Sequence, residues 1–167
     1  LEENKGIAGN TNAAVAMADG DYVMLCDHDD LVAVDALYEM VSVLNEDPST
    51  DIIYTDEDKV NSDTTMYFSP SFKPDFNFDF LRSINYICHI FMVRKTILDE
   101  VGCFRENFDG AQDFDFILRC CEKTTKIAHI PKILYHWRSH ENSTAGNPDS
   151  KQYAIDAGKR ALEEHYA

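Results

Sequence analysis

The chain has 167 residues, 44% of them hydrophobic and 27% charged, which is enough for one domain with a buried core. Thirty acidic against fifteen basic side chains leave a net charge of −15, which argues against nucleic acid and against polybasic docking on an anionic membrane, and is compatible with a site that recruits a cation. No apolar run reaches the roughly 18 residues of a membrane span, and Leu1-Glu2-Glu3-Asn4-Lys5 does not read as a signal peptide.

Residues 4–12 read as a polar, glycine-containing loop running into an alanine-rich helix over 13–18, with Asn10 or Thr11 as its cap. Gly6 and Gly9 ahead of a helix would let backbone amides approach a phosphate. Their spacing matches neither a Walker loop nor a dinucleotide fingerprint, so a plain loop is favoured. Residues 22–26 form a short apolar run with the composition of a buried strand. It ends in Asp27, Asp29 and Asp30, with His28 between the first two. Ligands of open α/β sheets bind at the carboxyl ends of strands. Two readings stand here: carboxylates holding a divalent cation, or a solvated acidic turn ahead of the next helix.

An amphipathic helix follows over 34–45, with Leu37, Met40, Val41 and Leu44 as its apolar stripe. Residues 51–55 read as the next strand, closed by Asp56, Glu57 and Asp58; a solvated turn is favoured over a second wall of ligands. Aromatics and prolines over 61–80 predict an irregular segment across the sheet edge. Residues 87–93 read as a core strand with His89 as a satisfied core histidine, and 96–101 as a short helix stopped by Gly102. From Gly110 the chain becomes helical, with Phe114, Ile117, Leu118 and Cys121 buried, Asp113 in the first turn, and Asp115 paired with Arg119. Residues 126–130 and 133–138 predict two short strands around Pro131, with His136 on the face opposite Tyr135 and Trp137. The stretch 139–150 reads as a mobile polar connection, and 153–165 as a last helix. This alternation predicts one α/β domain over 1–167 with a mostly parallel sheet flanked by helices. Cys26, Cys88, Cys103, Cys120 and Cys121 are odd in number and lack a Cys-x-x-Cys pair, so they read as reduced residues of a cytoplasmic protein.

Three signals stand in one order: Asp27-His28-Asp29-Asp30 after a strand, Gly110-Ala111-Gln112-Asp113-Phe114-Asp115 opening a helix, and Tyr135-His136-Trp137-Arg138 after a strand. Together with Asn4-Lys5-Gly6-Ile7, Tyr54-Thr55-Asp56-Glu57-Asp58-Lys59 and Phe72-Lys73-Pro74-Asp75, this order resembles the family 2 glycosyltransferases of GT-A (Rossmann-like) fold, most closely the bacterial branch that builds surface polysaccharides. The likeness covers nearly the whole chain. It implies an inverting transfer from a nucleoside-diphosphate sugar to a saccharide or lipid-linked saccharide acceptor, with Mn²⁺ or Mg²⁺ as cofactor. By the resemblance Asp29 ligates the metal, Asp27 contacts the ribose or a metal-bound water, Asp30 supports both, and His136 completes the metal shell. Asp113 matches the general base of the family's Glu-Asp motif, with Gln112 in the glutamate's place. Asn4, Lys5, Trp137 and Arg138 join the three aspartates on the donor side.

One departure matters. The family begins with an apolar strand, a turn and two further strands that hold the nucleotide base, and the chain starts beyond them. The expectation is the C-terminal two-thirds of a GT-A domain, lacking the first strands, with open sheet edges that pair between chains or weaken the donor site. Such a protein works in the cytoplasm, including peripherally at the inner face of the membrane. Two other classes stay open: a non-catalytic cation- or glycan-binding fragment, and a two-metal phosphoryl-transfer enzyme that would need Asp56 and Asp58 beside Asp29.

Overall fold

A computed structural model describes residues 3–139 and 152–167. The chain runs α1 (Gly6–Val15), β1 (Tyr22–Leu25), β2 (Leu31–Val32), α2 (Ala36–Glu46), β3 (Ile52–Asn61), β4 (Tyr67–Ser71), α3 (Phe78–Ser83), β5 (Phe91–Arg94), α4 (Lys95–Val101), a 3₁₀ turn (Glu106–Phe108), α5 (Gln112–Cys121), β6 (Ile127–Ser139) and α6 (Gln152–His165). The strands form one sheet in the order β1-β5-β3-β6-β2, with β4 added to β3. Among the described strands only β3 and β6 pair in parallel; β1 with β5, β5 with β3, β2 with β6 and β4 with β3 are antiparallel. The α/β sheet flanked by helices is as expected, but its pairing is mixed rather than mostly parallel.

Strand alternation splits the core into two layers. Val23, Ile52, Tyr54, Phe91 and Val93 pack with α1, α4, α5 and α6. Their neighbours Ile53 and Met92 pack with α2 through Ala36 and Met40 on the opposite face. Helix α5 is buried almost all round, which is why Asp115 and Phe116 join the expected stripe inside. The expected Asp115–Arg119 pair forms at 2.9 Å, and Arg105 closes on the same carboxylate from the other side. Gly102 stops α4 with φ 77°, a conformation glycine adopts without steric cost.

Several expectations are corrected. Helix α1 starts at Gly6, so Asn10 and Thr11 lie inside it. Asn4 Oδ1 seals its first turn by accepting from Gly6 N–H at 3.0 Å and from Asn10 Nδ2 at 2.8 Å. On α2 the buried side chains are Ala36 and Met40, with Leu44 packed beside them, while Leu37 and Val41 are exposed: the small Ala36 lets the helix approach the sheet and turns that half of the expected stripe outward. Strand β3 does not stop at Thr55 but carries Asp56, Glu57 and Asp58 within it, because β6 supplies histidines to the two aspartates. Residues 61–80 contain the edge strand β4 and helix α3 rather than only irregular chain.

The two short strands around Pro131 are one strand. The register with β3 jumps from Thr55↔Ile130 to Asp56↔Ile133, and this bulge absorbs the proline. The expected strand over 87–93 shortens to β5; Ile87 and Ile90 are buried outside it. The polar stretch over 140–150 lies outside the described residues. Among the described residues no helix is long and apolar enough to cross a membrane.

Candidate active site

The acidic turn 27–30 leaves β1 and returns to the sheet as β2, which pairs with β6 in the register Leu31↔His136 and Val32↔Tyr135. Tyr135, fully buried, pins the turn at both ends: its hydroxyl accepts from Asp27 N–H at 2.9 Å and donates to Asp30 Oδ2 at 2.6 Å. Burial and the Asp30 carboxylate raise its phenol far above the ordinary tyrosine range, so it stays a donor. Asp30 Oδ1 accepts from Arg138 N–H at 2.7 Å. Asp30 is thus spent on shaping the turn, and the Asp27 side chain, 60% exposed, is presented outward.

His89 faces Asp27, with Nε2 3.5 Å from Asp27 Oδ2, and packs against the rings of Tyr135 and Trp137. The expectation of a satisfied core histidine fails here, because the chain leaves strand geometry before Phe91 and swings the ring to the acidic turn. Asp27 is held below the ordinary carboxylate range by its hydrogen bond from His89. Burial alone would lower His89, but Asp27 outweighs it, with Asp113 and Glu57 adding, and the imidazole titrates above its ordinary value.

Helix α5 brings Asp113 to the same place. Asp113 Oδ2 accepts from Asn85 Nδ2 at 2.9 Å and lies 3.8 Å from Cys88 Sγ. The Cys88 thiol is pushed well up by burial and by the Asp113 charge, which leaves it neutral. A groove of about 760 Å³ between α1 and β1 is lined by Asn4, Asp27, His28, His89, Gln112 and Asp113, among others. Lys5, Asp29, Asp30, His136, Trp137 and Arg138 do not line it.

His136 lies on β6, opposite Leu31 of β2. Its Nδ1 is 2.6 Å from Asp58 Oδ1, and Tyr67 packs edge-on against its ring. A carboxylate accepting from Nδ1 fixes the tautomer whose Nε2 lone pair is available to a metal. With a carboxylate of the turn 27–30, this imidazole would supply the one or two protein ligands that Mn²⁺ or Mg²⁺ takes beside water and phosphate oxygens. Among the described residues no group of three or more His, Cys, Asp or Glu could hold a metal alone. Asp56 is bound by His129 Nε2 at 2.8 Å and by Lys73 N–H at 2.9 Å. The two-metal alternative therefore finds no cluster here. His89 Nδ1, Trp137 Nε1 and Arg138 Nε are buried without a hydrogen-bond partner among the described residues.

Tyr135, Asn85, Asp58 and His89 were missed as site residues. Tyr135 and Asp58 stand inside the ordered motifs without a site role, His89 interrupts an apolar run, and Asn85 carries no signal.

A mixed α/β sheet thus delivers an acidic turn and a helix-borne carboxylate to one groove. The sequence model of Glycosyl transferase family 2 matches residues 1–102. The chain belongs to glycosyltransferase family 2. It is 46% identical over 168 residues to the uncharacterized protein y4gI of Sinorhizobium fredii, covering 99% of this chain and 18% of that protein. It is 39% identical over 157 residues to the O-antigen biosynthesis protein RfbC of Myxococcus xanthus, covering 94% of this chain and 12% of that protein. The chain thus spans less than a fifth of these relatives. Among solved structures, S. aureus TarS 1–349 in complex with UDP matches 99% of this chain and 46% of its own, with TM-score 0.70 at 18% identity. The mannosyltransferase PcManGT of Pyrobaculum calidifontis, in complex with GDP-Man and Mn²⁺, matches 98% of this chain and 53% of its own, with TM-score 0.56 at 16% identity.

Proposed function

We propose that this chain is the catalytic portion of a metal-dependent inverting glycosyltransferase, a single unit corresponding to the C-terminal two-thirds of a GT-A domain. It moves a sugar from a nucleoside-diphosphate sugar to a saccharide or lipid-linked saccharide during assembly of a bacterial surface polysaccharide. It works in the cytoplasm, including at the inner face of the membrane. The observation that carries this reading is the meeting of Asp27 and Asp113 on one groove, bridged by Asn85 and His89. The polysaccharide-synthesis names of the relatives and the nucleotide ligands of the matched structures support it.

In this reading Asp113, held by Asn85, takes the proton of the acceptor hydroxyl, whose oxygen attacks the anomeric carbon from the side opposite the leaving diphosphate. Asp29 and His136 would hold the Mn²⁺ or Mg²⁺, and Asp58 orients His136 for that task. Held there, the ion would supply positive charge to offset that of the departing nucleoside diphosphate. Asp27 and Asn4 meet the donor from the groove, and Lys5 joins them from the start of α1. The unpaired nitrogens of Trp137 and Arg138 suit an oxygen-rich anionic ligand. Among the described strands β1 has a neighbour on one side only, which supports self-association through that edge; sedimentation at rising concentration reads it.

Calorimetric titration with Mn²⁺ and nucleoside diphosphates tests the reading. Nucleotide binding that requires the metal and is lost in Asp29→Ala supports it. Binding indifferent to both the metal and Asp29 overturns it. Metal-dependent binding with no transfer to any acceptor favours the non-catalytic alternative.

A further inference from the structure

Lys73 is a cation where the fold has little room for one. Its side chain is 1% exposed, and an ammonium taken out of water is costly unless all its donors are used. They are used: Nζ donates to Glu57 Oε2 at 2.8 Å, to the Ile87 carbonyl at 2.6 Å and to the His89 carbonyl at 2.7 Å. The base of the side chain is fixed as well. Its own N–H donates to Asp56 at 2.9 Å, and the next carbonyl, that of Pro74, accepts from Tyr54 at 2.6 Å.

The two carbonyls belong to one short segment and flank Cys88, whose φ is +45°. A non-glycine residue rarely adopts this left-handed backbone unless its surroundings impose it. Two carbonyls that converge on one buried cation impose it here. The same segment carries Asn85 against Asp113 and His89 against Asp27, and Asn85 Oδ1 also accepts from Cys88 N–H at 3.3 Å. One segment thus reaches both carboxylates with its side chains.

We propose that Lys73 is a positioning residue: its buried ammonium holds the segment 85–89 in place, and through Asn85 sets the placement of Asp113 relative to the turn that carries Asp27. The proposal rests on the reading of the site as a glycosyltransferase active site. A space-filling role would need only an apolar side chain of similar length, whereas holding two carbonyls needs a donor at the tip. Displacement of a catalytic group by about 1 Å can cost about 10²-fold in rate, so the ammonium governs turnover from outside the groove.

Lys73→Met keeps the length and removes the donors. With the protein assayed for transfer, kcat is expected to fall about 10²-fold while the donor KM stays within about 3-fold, because donor contacts on the turn 27–30 are held separately by Tyr135. Hydrogen exchange of the amides over 85–90 is expected to rise at least 10-fold relative to those of α5. Combining Lys73→Met with Asn85→Ala should cost little more than the larger single loss, since both act on Asp113 through one segment. An unchanged kcat in folded Lys73→Met, or losses that multiply in the double variant, overturns the proposal. If Lys73→Met does not fold, Asn85→Ala alone decides, since the segment cannot act on Asp113 if that change leaves kcat unaltered. If the unaltered protein transfers no sugar, the functional reading fails. The exchange measurement then still reports whether Lys73 holds the segment, and unchanged exchange overturns that too.

Discussion

Two of the chain's Asp-x-Asp pairs close apolar runs, one at 27–29 after β1 and one at 56–58 in β3, and they occupy opposite environments. At the first the strand ends, and the chain turns out of the sheet. Asp27 is left largely exposed, with His89 as a neighbour at 3.5 Å. At the second the strand continues. Asp56 and Asp58 are 2% and 8% exposed, and each is bound to a histidine of β6. The same contrast recurs within two residues of α5, where Asp113 lines the groove and Asp115 is buried between Arg105 and Arg119. Spacing does not separate these carboxylates. Whether a neighbouring strand or helix brings a cationic or donor partner does, because an unpaired buried charge is not tolerated.

The comparison breaks most visibly at Asp29. If Asp29 holds the metal as we propose, Asp29→Ala removes a ligand worth several kcal/mol, and turnover should fall by about 10⁴-fold. Steady-state kinetics read this directly, and turnover near that of the unaltered protein would remove the first pair from the chemistry. Asp113→Asn keeps the shape and removes the base that we propose. Loss of about 10²–10⁴-fold in kcat with donor binding intact is expected, and a parallel loss of donor affinity would contradict the role.

On the second pair the effects should divide. Asp58→Asn weakens the hold on His136 and should cost about 10–100-fold in metal affinity or activity, read by titrating Mn²⁺ into a transfer assay. Asp56→Ala strands His129 and the Lys73 amide and should instead cost about 2–3 kcal/mol of stability in urea denaturation. An Asp56 variant of undiminished stability would erase the distinction between the two environments.

The smallest effect concerns pH. Asp27 is held below and His89 above their ordinary values, each chiefly by the other once burial of His89 is overcome. The stability owed to His89 is fully present below about 6.5 and is lost as pH rises through its raised value. That owed to Asp27 is present above about 3.9 and is lost as pH falls through its depressed value. The pair should therefore support stability most between about 3.9 and 6.5. Asp27→Asn should flatten this feature, by less than about 1 kcal/mol given the exposure of Asp27. Denaturation midpoints across pH check it, and identical profiles for the two proteins would count against the pair.

By itself the sequence determined what depends on local pattern. The strand before Asp27, the helix after Gly110, the glycine stop at Gly102 and the family likeness carried by ordered motifs were all legible, because periodicity, caps and motif order are properties of neighbours along the chain. The tertiary structure alone decided what depends on partners from elsewhere. It ran β3 through three acids because β6 lies beside it, and turned Leu37 and Val41 of α2 outward because Ala36 packs closer to the sheet. It carried His89 out of the expected core strand to Asp27, and it gave the lysine of Phe72-Lys73-Pro74-Asp75 two carbonyls more than a dozen residues away. The physical reason is the same in each case. The fate of a polar side chain is set by whether a distant segment satisfies it, and no spacing along the chain records which segment that will be.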